Sequence, residues 1–312
     1  MDKRQFLKLS TGVSLGFMLP NGVNAANTLQ VLKSDMRWPP YSNSVVIDGL
    51  SAAFDYGVES FDNNVLAIFK QSGISALNAT IPSPGDDHAT TLSKIESTLA
   101  LIKRYPSHFR LVTKASDVLL AKEQQQIGII MGFQSTEMFA DDLNQIDFFA
   151  RNGVRYMQLS YNGASQFGSG GLVKNDKGLT VLGQEALQRM EKNKVLVDLS
   201  HAGQKTVAQA IKESTRPLTI SHTGCNGVYR HPRNNDDAEL KAVADKGGVV
   251  GIYLMPFLEG GDSELKAEAL LRHIDYAVNL CGEDHISIGS DQGVVPVNDG
   301  PAYREAIRQE VK

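Results

Sequence analysis

The sequence predicts an α/β fold of the (β/α)8 (TIM) barrel type, because short apolar runs and amphipathic segments alternate along most of its 312 residues. Eight runs have the composition of buried parallel strands, and all but the last precede a predicted helix. No Gly-x-Gly-x-x-Gly loop follows the first run, which disfavours an open doubly wound sheet. One barrel of about 250 residues can therefore account for most of the chain.

The predicted elements follow one another in a regular order. The eight principal strands begin near Val45, Ile74, Ile127, Val154, Val195, Leu218, Val249 and Ile286. Helices are predicted between them over 61–72, 90–105, 143–152, 180–193, 204–213, 236–246 and 267–281. A further short strand and helix, 109–113 and 115–123, precede the third principal strand.

Composition and charge exclude several classes of partner. The net charge of −4 comes without a basic block, so nothing favours a nucleic acid or an anionic membrane surface. No apolar run reaches the roughly 18 residues that would span a bilayer. The two cysteines, Cys225 and Cys281, are too few for a disulfide framework or a thiolate metal site, and we expect free buried thiols. The sequence leaves a homodimer open.

The N-terminal region is expected to be separate from the barrel. Residues 1–26 combine the basic run from Lys3 to Lys8, a short apolar stretch and small residues at a cleavage position, which predicts an export signal. The run is similar to a twin-arginine motif, so we expect a periplasmic or secreted protein. Residues 27–44 form a leader and 45–312 a single barrel domain. Only the polar stretch 301–312 follows the last strand, so the closing segment is expected to be short or missing.

Three predicted strands end in polar residues that could carry chemistry: Ser200-His201, Ser221-His222 and Ser290-Asp291. In a parallel barrel the functional side chains stand at these C-terminal strand ends. The two histidines lie on consecutive strands, and two neutral imidazoles facing one cavity suit Zn²⁺. Asp291 is a candidate for a further ligand or for the base of a metal-bound water, with a turn cap as the alternative.

A polar loop after the sixth principal strand offers two arginines. Arg230 and Arg233 could present a guanidinium to a substrate carboxylate, or could be solvated loop residues. The other histidines lie away from the strand ends and are interpreted as structural: His88, His108, His273 and His285.

Several runs in one order resemble the membrane (renal) dipeptidase family of zinc metallopeptidases. The resemblance extends from about Val45 to Asp291. Its motifs are Gly153–Asn162, Gly178-Leu179-Thr180 with Gly183, Leu196–His201, Ser221-His222, His231–Asn234 and Ile288–Asp291.

This resemblance implies a barrel of the metal-dependent amidohydrolase type that holds two bridged zinc ions and hydrolyses dipeptides, including dipeptides with a C-terminal D-residue. It matches His201 and His222 to the ligands of one zinc ion. It also matches Asp291 to the aspartate that handles the proton of the attacking water, and Arg233 to the arginine that binds the substrate carboxylate. Tyr161 stands where many relatives have a substrate-contacting histidine.

Three positions depart from the family pattern. Leu50 and Ala52 replace a histidine and an aspartate that hold the other zinc ion, and Gln134 replaces a glutamate that bridges both ions. Leucine and alanine offer no lone pair, and a neutral amide is a poorer zinc ligand than a carboxylate. The remaining residues predict a mononuclear site of His201 and His222, completed by Asp291 or weakly by Gln134 and by water.

The expected function is a metal-dependent hydrolase of dipeptides or similar small amides that uses one zinc ion. Two alternatives remain open from the sequence. One is an inactive family member that binds peptides or amino-acid derivatives, with or without a metal ion. The other is a single-metal amidase or lactamase, since a fold does not fix its chemistry.

Overall fold

The computed structural model describes residues 43–54, 57–260 and 267–293, together with Tyr41 and Glu305. The predicted export signal 1–26 and nearly all of the leader 27–44 lie outside the described residues. The same holds for the C-terminal stretch 301–312 apart from Glu305.

The strands of the described chain form one parallel sheet. They are β1 (Ile47–Ser51), β2 (Ala76–Thr80), β3 (Phe109–Leu111), β4 (Ile127–Phe133), β5 (Val154–Gln158), β6 (Leu196–Asp198), β7 (Thr219–Thr223), β8 (Val249–Ile252) and β9 (Ile286–Ile288). Their order is β1-β2-β4-β5-β6-β7-β8-β9, and β3 pairs with the N-terminal half of β4. This nearly closed barrel confirms the predicted fold class and its eight principal strands.

The helices lie between the strands as predicted. They are α1 (Asn63–Ser72), α2 (His88–Arg104), α3 (Ala115–Glu123), α4 (Asn144–Arg151), α5 (Val181–Lys192), α6 (Gln204–Glu213), α7 (Asp237–Asp245) and α8 (Ala267–Cys281). Within the described ranges, none of them combines the length and the apolar character that crossing a membrane requires.

Local signals explain where several helices begin. The Asp87 side chain accepts a hydrogen bond from the Thr90 amide at the start of α2, at 2.8 Å. The Thr180 hydroxyl accepts from the Gly183 amide at the start of α5, at 2.9 Å. Both bonds satisfy amides that have no partner inside the helix. The Gly-Leu-Thr run with Gly183 therefore serves the fold.

The two faces of β4 show how the barrel is filled. Ile127, Ile129, Met131 and Phe133 pack into the main core with residues of the surrounding helices. The alternate residues face the interior, where Ile130 packs with Ala76, Val112 and Val118. Nearer the site the interior is polar, since Gln158 and Asp198 are register partners on β5 and β6 and are hydrogen bonded. These inner positions of β5 and β6 carry the network beneath the site.

The barrel is closed by a seam of side-chain and backbone bonds between β1 and the residues after β9. The buried Asp48 carboxylate accepts from the Ser290 amide at 2.7 Å and from the Ser290 hydroxyl at 2.5 Å. The Asp291 amide donates to the Leu50 carbonyl, at 3.0 Å. Burial raises the pKa of Asp48 above its ordinary value, although the bonds from Ser290 act in the opposite direction.

Replacement of Asp48 by alanine is expected to lower the free energy of unfolding by about 2–3 kcal/mol, because the Ser290 and Leu50 donors lose their buried acceptor. Urea unfolding measures this change. The matched control is Asp87→Ala, which removes only an exposed helix cap and should lower the free energy of unfolding less than Asp48→Ala does. Equal losses in the two variants would contradict the role of the seam.

Candidate active site

The two predicted histidines meet at the C-terminal ends of β6 and β7. The Nε2 atoms of His201 and His222 are 2.9 Å apart, and both side chains are buried. The Oε1 atom of Gln134, just after β4, lies 3.0 Å from the His201 Nε2 atom. The Tyr161 ring, just after β5, stacks on His201 with ring centroids 4.1 Å apart. The structure thus brings together these four predicted site residues, and Arg233 is the fifth of the six to lie beside them.

Both imidazoles are held neutral. Burial, followed by the nearby Arg233 guanidinium, lowers the pKa of each histidine well below its ordinary value. The His201 Nδ1 atom faces the Asn162 Oδ1 atom at 2.8 Å, and the His222 Nδ1 atom faces the Ser221 hydroxyl at 2.8 Å. A neutral ring that donates through Nδ1 leaves its Nε2 atom as an acceptor. The His222 Nε2 atom and the Gln134 Oε1 atom then both face the His201 Nε2 atom.

The structure separates the two predicted arginines. Arg233 is only 4% exposed. Its Nη1 atom donates to the Ser200 carbonyl at 2.6 Å, and its Nη2 atom lies 3.3 Å from the His201 Nε2 atom. Arg230 is exposed on the same loop. Of the two guanidinium groups, only that of Arg233 lies beside the histidines.

His231 is a buried support of this loop. Its ring stacks on Phe257 with centroids 4.6 Å apart, and its Nδ1 atom accepts from the Arg233 amide at 3.2 Å. Burial, and secondarily the Arg233 charge, lower the pKa of His231 to about 4. The imidazole is therefore neutral at physiological pH.

This shift predicts that part of the folding stability is lost in mild acid. The folded protein binds the His231 proton less readily than the unfolded chain, whose pKa is near 6.5. The contribution is fully present above about pH 6.5 and declines as the pH falls towards 4, by about 3 kcal/mol in total. Comparing urea unfolding of the wild type and His231→Phe at pH 7 and pH 5 measures it. The variant keeps a ring against Phe257 and should depend less steeply on pH; parallel profiles would contradict the assignment.

Asp291 lies on another side of the barrel mouth. It follows β9, is partly exposed, and has a left-handed backbone with φ of 56°. Gly289 lets the chain after β9 pass close to β7. A Cβ atom at this position would lie 1.9 Å from the Ser221 carbonyl oxygen and 3.2 Å from the His222 Cβ atom. The end of β9 therefore passes against His222, while Asp291 itself is bonded through its amide to Leu50 on β1.

The replaced positions on β1 are also visible. Leu50 is buried, and Ala52 is exposed at the end of the strand. In the part of the chain that the structure describes, no three side chains of histidine, cysteine, aspartate or glutamate form a group that could hold a metal ion. The donor set at the mouth is therefore two imidazoles and one amide.

Sequence reasoning missed the polar residues beneath the histidines. Asp198, Ser200 and Ser221 form a buried network, and Asn162 lies against the His201 Nδ1 atom. A charged residue at an inward-facing strand position could have predicted this network, because a buried polar group needs a buried partner. Asp198 carries that signal on β6.

The cysteines and the remaining histidines lie away from the site. Both thiols are free, and Cys281 is only partly buried, so the expectation of two buried thiols is wrong for that residue. Burial raises the pKa of Cys225 to about 12, which makes it an inert thiol. His273 accepts from the Cys225 amide and contacts the Leu258 carbonyl.

Comparison with known proteins identifies the family. The family model described as membrane dipeptidase (peptidase family M19) matches residues 59–305. This chain belongs to the membrane dipeptidase family. It is a dipeptidase-family hydrolase, and the family is one of metal-dependent peptidases.

Solved structures agree with this membership. An amidohydrolase from Pseudomonas aeruginosa is 34% identical, with a TM-score of 0.74 over 81% of this chain and 75% of that chain. A metallopeptidase from Rhodobacter sphaeroides, bound to a phosphinate mimic of the dipeptide L-Ala-D-Ala, is 21% identical, with a TM-score of 0.72 over 86% of this chain and 93% of that chain. Because the Rhodobacter sphaeroides protein is only 21% identical, its similarity supports the fold of this membrane dipeptidase family member and not its function.

Curated relatives of this membrane dipeptidase family member include a dipeptidase named tcpJ from Claviceps purpurea. It is 25% identical over 209 residues, which are 66% of this chain and 49% of that protein. An uncharacterised dipeptidase of Schizosaccharomyces pombe is 29% identical over 205 residues, which are 64% of this chain and 50% of that protein. The chain thus spans about half the length of these fungal relatives.

Proposed function

We propose that this protein is a single-metal hydrolase of dipeptides or similar small amides that acts after export, in the periplasm or outside the cell. The observation that carries the proposal is the convergence of three acceptor atoms, the Nε2 atoms of His201 and His222 and the Oε1 atom of Gln134, within 2.9–3.0 Å contacts. Acceptors that face one another need a hydrogen-bond donor or a cation between them. The Nδ1 contacts with Asn162 and Ser221 favour ring protons on Nδ1, and the Arg233 guanidinium approaches only the His201 atom, at 3.3 Å, so the space between the rings suits a cation.

The donor set fits one metal ion. Imidazole nitrogens suit Zn²⁺, and a site with three protein donors keeps an open position for water or substrate. Leu50 on β1 and Ala52 just after it offer no donor atoms at these two positions for a second ion. When bound, zinc would supply a Lewis acid that activates water and polarises the scissile carbonyl. Among the described residues no third histidine, cysteine, aspartate or glutamate completes a metal-binding group with the two histidines, so we expect weaker binding than at a carboxylate-rich site.

The remaining residues have distinct roles in this proposal. Arg233 holds the substrate carboxylate through its guanidinium, which Ser200 and its buried surroundings keep in place. Tyr161 forms one wall of the site through its stack on His201. Asp291 takes the proton of the attacking water at its carboxylate, from the β9 side of the mouth.

A second candidate function is a binding protein that keeps the pocket without turnover. Leu50, Ala52 and Gln134 favour it, because Leu50 lacks the imidazole ligand of the family pattern, and Ala52 and Gln134 lack the carboxylates that would attract a cation. Another amide substrate, including a lactam, is compatible with the same donor set.

The deciding experiment measures metal content and hydrolysis together. Purified protein is analysed for metal by mass spectrometry, before and after chelation, and is assayed with a panel of dipeptides that includes C-terminal D-residues. About one zinc per chain and chelator-sensitive hydrolysis would support the proposal. Peptide-dependent thermal stabilisation without turnover, in zinc-supplemented buffer, would favour the binding protein and overturn the hydrolase.

Arg233→Ala is expected to raise the KM for a dipeptide about 10–100-fold. This is the effect expected from losing one charge-assisted contact with the substrate carboxylate. Arg230→Ala is the matched control, since Arg230 lies exposed on the same loop, and its KM should stay at the wild-type value. Steady-state kinetics with a free dipeptide and its C-terminal amide separate loss of carboxylate recognition from general damage. A similar KM increase in both variants would contradict the role of Arg233.

A further inference from the structure

The Asp198 carboxylate is buried under the two histidines and accepts five hydrogen bonds. It is 2% exposed. Its Oδ1 atom accepts from the Ser200 amide at 3.1 Å, the Ser200 hydroxyl at 2.5 Å and the Ser221 amide at 2.9 Å. Its Oδ2 atom accepts from the Gln158 amide group at 2.9 Å and the Ser221 hydroxyl at 2.6 Å. The acceptor capacity of this carboxylate is therefore filled.

The Ser221 hydroxyl determines which atom is the donor in its contact with the His222 Nδ1 atom. A hydroxyl has one proton, and the shortest contact of this hydroxyl is the charge-assisted one to Asp198. The hydroxyl must then accept in its 2.8 Å contact with the His222 Nδ1 atom. Because a neutral imidazole has one ring proton, that proton stands on Nδ1 and the Nε2 atom is bare.

We infer that Asp198 and Ser221 are positioning residues that select the Nδ1–H tautomer of His222. The carboxylate orients the hydroxyl, and the hydroxyl orients the imidazole. The ring then presents an Nε2 lone pair towards His201. The use of that lone pair for a metal ion rests on the proposed function, whereas the tautomer itself does not.

The neighbouring Ser200 provides a matched control. Its hydroxyl makes an equivalent contact with Asp198 and lies 3.1 Å from the Ser221 hydroxyl, but it accepts from the His222 backbone amide at 3.1 Å and, among the contacts of the described residues, touches no ring nitrogen. Loss of the Ser200 hydroxyl should disturb the same carboxylate without changing the ring tautomer. The two serines thus separate a structural effect from tautomer selection.

The tautomer of the His222 ring can be measured directly by NMR. Protein labelled with ¹⁵N at its seven histidines is stripped of metal, and long-range ¹H–¹⁵N correlation at neutral pH distinguishes Nδ1–H from Nε2–H rings. His222→Gln assigns the signal. We expect Nδ1–H in the wild type, in Ser200→Ala and in Ser221→Thr, which restores a hydroxyl. In Ser221→Ala the Nε2–H form should become the major one. Asp198→Asn should give a mixture, since the two serine hydroxyls donate to different carboxylate oxygens and asparagine replaces one of these oxygens with an NH2 group that cannot accept.

Two outcomes overturn the inference: an Nε2–H ring in the wild type, or an unchanged ring in a folded Ser221→Ala variant. The wild-type spectrum is informative even if a variant fails to fold. Zinc affinity by chelator competition supplies a second readout, with an expected loss of about 10–100-fold in Ser221→Ala and none in Ser200→Ala. A protein that binds no zinc but shows the Nδ1–H ring would refute the proposed function and leave the tautomer assignment standing.

Discussion

Replacing His222 with alanine is expected to lower kcat/KM for a dipeptide by about 10³-fold and to abolish stoichiometric zinc binding. The buried imidazole supplies one of three converging acceptors, and no other side chain of the described site is placed to replace it. Loss of a metal-activated water removes several kcal/mol of transition-state stabilisation, and each 1.36 kcal/mol corresponds to about tenfold in rate. Kinetics with excess zinc, together with metal analysis of the dialysed protein, measure both effects.

His108→Ala is the control for this variant, because His108 lies beside β3, away from the mouth of the barrel, and contacts Ser107. Its activity and metal content should equal those of the wild type. Thermal unfolding checks that His222→Ala still folds. Wild-type zinc content in a folded His222→Ala protein would exclude His222 as a ligand.

Gln134→Glu is expected to increase zinc affinity by about 100-fold. The side-chain oxygen of Gln134 already lies 3.0 Å from the His201 Nε2 atom, so the substitution adds charge without moving the ligand. A unit charge pair at about 4 Å gains about 4 kcal/mol at an effective dielectric constant of 20, and desolvation of the carboxylate offsets part of this. Competition with a chelating dye at fixed pH gives the affinity.

Gln184→Glu adds the same charge at an exposed position on α5 and should leave zinc affinity unchanged. A comparable increase in both variants would mean that net charge, and not ligation at position 134, controls binding. A metal stoichiometry that rises from one to two in Gln134→Glu alone would show that Leu50 and Ala52 do not prevent a second ion from binding.

The order of elements was predictable because it depends on local pattern. The bounds of α3, α6 and α8 agree with the prediction, since the apolar spacing of a helix is a local pattern. The strand limits shifted by a few residues; β7, for example, continues through His222 to Thr223. Strand ends depend on which neighbour supplies the hydrogen bonds, and a single strand does not contain that information.

The site was predictable only in part, for a similar reason. A polar residue at the end of an apolar run marks each of His201, His222 and Asp291. The contact of Gln134 with His201 joins residues that are 67 positions apart, and the stack of Tyr161 depends on the path of the loop after β5. The burial of Arg233 and the exposure of Arg230 differ only because of the fold of their common loop. Such differences arise from tertiary packing, which residue spacing does not encode.

The seam between β1 and the residues after β9 has a consequence for the course of folding. The bond between Asp48 and Ser290 joins positions 242 residues apart, whereas the contact between His201 and His222 spans 21. Contacts of small sequence separation cost less loop-closure entropy and are expected to form earlier. The histidine pair can thus be assembled while the chain is still open, and Asp291 reaches the mouth only in the last closing event. We expect refolding protein to acquire its metal-binding nitrogens before it acquires the aspartate.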